Sequence, residues 1–420
     1  MGLLILSTLL DFAYGFWVAS TNRRKAKFFL WLSIINNLGI LAIFKYYNFF
    51  ASQISVGLSL LNINFNPHLL NLVLPIGISF YTFHGMSYVF DIYRGNQKPV
   101  RNFEEYAVFV SFFPLLVAGP IERANHLLPQ VQKSRIFNYR QSVQGIYLII
   151  WGLFKKVVIA DNLGSLVDIV FNNPNEHSTV SLIFAAIGFS FQIYCDFSGY
   201  SDIASGVAKL FGFELLKNFD FPYWSKSIPE FWKKWHISLS SWFRDYVYFP
   251  LGGSRVGIFK AVRNVFIVFV LSAFWHGANW TFLVWGIIHA LFYIPGFVNI
   301  KINKTEKKPQ FGIAKYLSIL GTFVVVTIAW VFFRSESISK AIDFFREFNQ
   351  LTMGVSFIKT NTHMVLFIKA IIGLLILLIF EFYSVNRSRV FSRRFFAIIV
   401  LCILLLGSFK DSMSFIYFQF

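Results

Sequence analysis

Long apolar runs alternate with short polar loops along almost the whole chain. A helix needs roughly 20 apolar residues to cross about 30 Å of hydrocarbon. Ten segments read as such crossings: 3–20, 28–47, 69–92, 141–162, 179–197, 262–277, 280–299, 314–333, 363–383 and 395–411. Two more, 104–119 and 229–250, are apolar but interrupted. Pro114, Gly119 and Pro120 break the first, and Lys233, Lys234, Arg244 and Asp245 stud the second. Both read as re-entrant or interfacial, since such backbone survives at membrane depth only where protein or a water-filled cavity covers it. The pattern predicts an all-α polytopic membrane protein of about ten transmembrane helices.

Composition agrees. Of 420 residues, 56% are hydrophobic, 54 are phenylalanine and only 14% are charged, against about 25% charged in a soluble domain. We expect one continuous membrane domain over 1–420. The net charge of +18 could suggest nucleic acid, but the basic residues fall in short loops, which is the positive-inside pattern. Residues 21–27 carry four positive charges, 301–308 four lysines and one glutamate, and 385–394 four arginines. These loops are expected on the cytoplasmic side. The segments near 48–68, 171–179 and 334–362 have few or balanced charges and are expected outside, as are both termini. The N-terminus is apolar first and basic afterwards, opposite to a signal peptide, so Gly2 to Ser20 reads as a retained helix. Cys195 and Cys402 offer no disulfide framework or zinc spacing.

An ionisable side chain at membrane depth costs roughly 2.5–3.5 kcal/mol and marks a functional candidate. His236 sits in the interrupted segment. If that segment were one helix, His236, Ser240 and Arg244 would share a face. With Lys233 and Lys234 they could form a polar wall for an anionic donor. An amphipathic interfacial helix anchored by Trp232, Trp235 and Trp242 explains the same residues. Forty residues on, His276 ends an apolar run between Trp275 and Gly277. A neutral imidazole there could be a general base, with Gly277 leaving room for a close approach. A helix-packing histidine is the alternative. His289 could support His276 or simply brace a helix.

Asp196 and Asp202, in Tyr194–Asp202, need partners in an apolar span and could line the cavity or brace a helix break at Gly199. Pro75–His84 reads as a broken, hydroxyl-rich helix, and Glu122 with Arg123 as a local pair. No two of the eight histidines are three or four apart, so no helix-borne metal pair is expected. The chain ends Phe415-Ile-Tyr-Phe-Gln-Phe420, apolar enough to fold back into a pocket. Tyr417 is its one nucleophile, and a phenol needs an adjacent base to attack an acyl group well. An aromatic interfacial anchor is the competing reading.

These motifs resemble the membrane-bound O-acyltransferases (MBOAT), in the bacterial branch typified by the membrane subunit of alginate O-acetylation. The resemblance rests on Leu74–Tyr81, Asp91–Gly95, Ala118-Gly-Pro120, Asp196–Asp202, Glu230–Ser240, Phe243-Arg-Asp-Tyr246, Leu251–Arg255, Trp275-His-Gly-Ala278 and the terminal hexapeptide. The family usually has further hydrophobic residues before this chain's first position. The resemblance implies helices around a central tunnel or funnel. It also implies His276 as the catalytic histidine, His236 as the second motif histidine, and Tyr417 as an acyl relay. No bound cofactor is implied. The donor would be acetyl-CoA or an acyl-carrier thioester, held near Lys233, Lys234, Ser240 and Arg244 with Trp235 and Trp275. A separate extracytoplasmic transferase of SGNH type would carry the acetyl group to an envelope polysaccharide, and the membrane would be the bacterial inner membrane. Transfer of D-alanine from a carrier, and flipping of a lipid-linked sugar, are the rival expectations. A flippase fits less well, because no internal repeat is visible.

Overall fold

The computed structural model describes residues 2–75, 77–303, 312–387, 392–409 and 415–416. Among them the chain is helical, with no strand. Eight helices are long and apolar enough to cross a membrane: Gly2–Ser20, Arg23–Ser59, Tyr139–Asn172, Thr179–Leu210, Ile258–His276, Trp280–Ile302, Ile313–Arg334 and Asn361–Val385. The protein is a multi-pass membrane protein.

Two of the ten expected crossings come out shorter. Residues 63–75 are not helical, and the helix there runs only over Ile78–Arg94, after Gly77 in the left-handed region (φ 76°). Its 17 residues span about 25 Å. Near the C-terminus the helix Arg393–Leu406 stops after 14 residues. There Asn162 Nδ2 donates to the Leu406 carbonyl at 3.0 Å, and the Ser408 N–H turns to the Val157 carbonyl at 2.9 Å.

The chain divides into two compact units, residues 1–137 with 211–216, and residues 138–210 with 217–420. In the first unit, Asp11 is buried in an apolar helix. It accepts hydrogen bonds from Ser33 Oγ (2.8 Å) and Asn37 Nδ2 (2.9 Å). Without water, a polar side chain between helices must find such partners. Gly85 makes room, since a Cβ there would fall 2.0 Å from Asp11 Oδ2. The stretch Pro75–His84, expected as a broken helix, is helical without interruption from Ile78 onward, and His84 Nε2 accepts the Glu122 N–H at 3.2 Å. Glu122 itself binds His126 Nδ1 (2.7 Å) and the Leu216 N–H (2.6 Å).

The second unit is organised on the 32-residue helix Thr179–Leu210. It is continuous through Gly199, so the expected break is absent. Gly199 instead permits a close helix crossing. A Cβ on Gly152 would lie 2.4 Å from the Gly199 carbonyl oxygen, and one on Gly206 2.5 Å from that of Gly145. Both pairs repeat at a seven-residue spacing, so two turns of backbone touch along one seam.

Candidate active site

The interrupted segment is not one helix. Ile228–Lys234 and Ile237–Phe243 are separate short helices, followed by a π-helical turn at Arg244–Tyr248. The break is at His236, whose φ of 42° lies in the left-handed region that non-glycine residues avoid at a cost of about 1–3 kcal/mol. A strap at 218–220 holds the break. The Asp220 N–H donates to the Lys234 carbonyl, and the Ile237 N–H to the Asn218 carbonyl, both at 2.9 Å. His236 therefore does not share the face of Ser240 and Arg244. Its ring turns inward, fully buried, with Nδ1 3.0 Å from Asn218 Oδ1.

The two motif histidines bracket one tryptophan. Ring centroids of His236 and Trp275 are 5.8 Å apart, and those of Trp275 and His276 4.9 Å. His276 is the last residue of Ile258–His276, where the helix ends and Gly277 follows. The space beside Gly277 is filled, because a Cβ there would meet the Phe282 ring at 2.1 Å. Trp285 and Phe333 complete the wall, at 5.0 and 5.3 Å from His276. Trp285 also packs on His289 at 5.1 Å, and His289 Nδ1 accepts the Trp232 indole N–H at 3.2 Å. The polar residues thus form a connected aromatic–imidazole line rather than scattered packing sites.

A cavity of about 390 Å³ lies beside this line. Lys233, Ser240 and Arg244 line it, with Trp232, Tyr248 and Ser272. Neither His236 nor His276 does. Trp232 connects the two, as it lines the cavity on one side and bonds His289 on the other. Lys234 and Trp235, expected at the same site, are elsewhere. Lys234 pairs with Glu230 at 2.8 Å. Trp235 is enclosed by Phe219, Phe231 and Trp330 at 5.0–5.5 Å.

Asp196 and Asp202 are ion-paired. Lys156 Nζ lies 2.9 Å from Asp161 Oδ1 and from Asp196 Oδ1, and Lys155 Nζ lies 2.7 Å from Asp202 Oδ2. Both lysines belong to the π-helical stretch Phe154–Ala160, whose extra residue per turn sets consecutive lysines against two aspartates of one helix. Buried Glu381 similarly accepts from Tyr194 Oη (2.5 Å) and Trp224 Nε1 (2.9 Å).

Phe415 and Ile416 reach this network. Ile416 donates its N–H to Asp196 Oδ2 at 2.8 Å. Phe415 stacks near Tyr200 at 4.8 Å and Phe197 at 6.3 Å. Phe197 in turn meets His236 edge-on at 4.7 Å. Tyr417 lies outside the described residues. Asn218, Lys155, Lys156 and Glu381 were not singled out from the sequence. The signal for the last three was a charge inside an apolar run, whereas Asn218 in a polar stretch carried none.

The sequence profile of the MBOAT, membrane-bound O-acyltransferase family, matches residues 100–335. The chain is 37% identical over 343 residues to the peptidoglycan O-acetyltransferase of Helicobacter pylori, covering 74% of this chain and 63% of that protein. It is 38% identical over 336 residues to the probable alginate O-acetylase of Pseudomonas aeruginosa, covering 78% and 62%. It is 30% identical over 282 residues to the teichoic acid D-alanyltransferase of Bacillus subtilis, covering 64% and 70%. The chain thus spans under two thirds of the length of the first two relatives. The family profile falls on the paired histidines, the cavity and the Asp196–Asp202 helix, and the chain belongs to the membrane-bound O-acyltransferase family.

Proposed function

We propose that the protein transfers an acetyl group from a cytoplasmic thioester to an acceptor on the outer side of the membrane, for O-acetylation of an envelope polysaccharide. One observation carries the reading: Phe415 and Ile416 pack within the second unit, with Ile416 on Asp196 and one phenylalanine, Phe197, between Phe415 and His236. In this reading Tyr417, the next residue in sequence, is the nucleophile.

In this reading the donor is acetyl-CoA. Lys233 and Arg244 at the cavity attract its phosphates, and Ser240 and Ser272 line the path of its arm. His276 takes the proton of the Tyr417 hydroxyl as its oxygen attacks the thioester carbonyl. The C–S bond breaks as the C–O bond of the tyrosyl ester forms, and the proton leaves with the thiolate as free thiol. A separate extracytoplasmic transferase, of SGNH type, moves the acetyl group from the tyrosyl ester to the polysaccharide. The chain lies in the bacterial inner membrane with both termini outside. Acetyl is preferred to D-alanyl because the relatives named for O-acetyl transfer share 37–38% identity and the D-alanyl relative 30%.

The test is polysaccharide acetylation in cells carrying His276→Ala or Tyr417→Phe. Loss in both supports the reading. Wild-type acetylation in the first removes the base, and in the second the relay.

A further inference from the structure

We propose that Asn218 is a positioning residue that presents His236 to the substrates as a hydrogen-bond acceptor, with a bare Nε2, and so excludes it as a donor to the thioester carbonyl. The inference rests on the acyl-transfer reading for its purpose, but its structural content stands on the contacts of Asn218 alone.

Asn218 Oδ1 faces Ser238, lying 3.4 Å from its backbone nitrogen and 2.8 Å from its Oγ. A backbone N–H can only donate, so the amide atom facing it is the oxygen. The amide nitrogen correspondingly donates to Ser201 Oγ at 3.1 Å. The same Oδ1 lies 3.0 Å from His236 Nδ1. An amide oxygen can only accept, so Nδ1 carries the proton. In a neutral imidazole Nε2 is then a lone pair, and this atom is buried with no hydrogen-bond partner among the described residues. The Asn218 carbonyl also takes the Ile237 N–H, so one residue sets both the left-handed backbone of His236 and the rotation of its ring.

His289 has the opposite setting. An indole N–H is a donor only, so Trp232 leaves His289 Nδ1 bare and puts the proton on Nε2, which is also buried without a described partner. The line of imidazoles therefore holds an acceptor at His236 and a donor at His289. His236 can hold an O–H or N–H of a substrate, such as the attacking hydroxyl or an amide of the donor's arm.

The experiment uses the full chain, labelled with ¹⁵N-histidine in lipid bilayers and read by solid-state NMR, with His236→Gln identifying the signal. Wild type is expected to show a protonated Nδ1 and a bare Nε2 at His236. Asn218→Leu should lose this preference while the other histidines are unchanged. Asn218→Asp, which keeps an acceptor oxygen, should retain it. In parallel, acetyl-CoA turnover should fall about 100-fold in Asn218→Leu, with little change in KM, and recover to within tenfold of wild type in Asn218→Asp. A protonated Nε2 in wild type would overturn the proposal, as would an unchanged tautomer or full turnover in Asn218→Leu. Failure of the acyl-transfer reading would look different: turnover would survive His276→Ala while the tautomer result stood.

Discussion

The Ile416 backbone N–H donates to Asp196 Oδ2 at 2.8 Å, although 220 residues separate them. The carboxylate can do this because its other oxygen is held by Lys156, so the buried charge is compensated and the acceptor fixed. The anchor of Ile416 is thus a charge-balanced side chain.

Asp196→Leu removes the acceptor, together with the Lys156 contact at 2.9 Å. The Ile416 amide is expected to lose its protection in hydrogen–deuterium exchange, and acetyl transfer should fall at least tenfold. Unchanged protection would show that the aromatic side chains alone hold the tail.

Lys155 is buried between Asp202 and Ser198. Breaking a fully buried ion pair from one side typically costs about 3–5 kcal/mol; Asp202, 29% exposed, keeps part of its hydration, so the loss here falls below that range. Lys155→Met should therefore lower the melting temperature of the detergent-solubilised protein markedly. The double variant Lys155→Met/Asp202→Asn should recover much of the loss. A double variant no more stable than the single one would argue against direct coupling.

Lys233, on the short helix Ile228–Lys234, and Arg244, at the start of the π-helical turn, line one cavity. If they attract donor phosphates, Arg244→Ala and Lys233→Ala should each raise KM for acetyl-CoA several-fold, with a smaller change in kcat. The effect should shrink with added salt, because exposed charges are screened. A fall in kcat at unchanged KM would place these cations at the chemistry instead.

Outside the spans, the hydrogen bond from His126 to Glu122 raises the His126 imidazole above its usual value, with burial opposing it. A raised folded-state value means the pair's contribution is full below about pH 6.5 and is lost as pH rises through the raised value. The Leu216 amide, bonded to the same carboxylate, should exchange faster above that range than intrinsic rates predict. In His126→Gln this pH dependence should vanish.

Much of the framework was legible from hydropathy alone, because burying backbone in lipid leaves few options. The helices Gly2–Ser20, Ile258–His276 and Ile313–Arg334 fall close to their predicted segments, and Pro114 and the charges near Lys233 mark real interruptions. Glycine misled where two uses compete. Gly199 could break a helix or let another approach, and only the partner glycine, Gly152, decides. His236 misled for a related reason. Its four-residue spacing to Ser240 and Arg244 assumed an unbroken helix, and the left-handed turn that breaks it is imposed by Asn218, 18 residues upstream. The lysine–aspartate pairs were half visible. The aspartates demanded partners, but a π-helical register was needed to bring Lys155 and Lys156 to them.

If an imidazole-dependent transfer loads the C-terminal tyrosine, the acetyl group must be found on that residue. The most direct measurement is mass spectrometry of the C-terminal peptide after purified protein is incubated with acetyl-CoA. Wild type should carry one acetyl group on Tyr417, and His276→Ala none. An unmodified Tyr417 in protein that supports polysaccharide acetylation, or equal loading in His276→Ala, would contradict such a transfer.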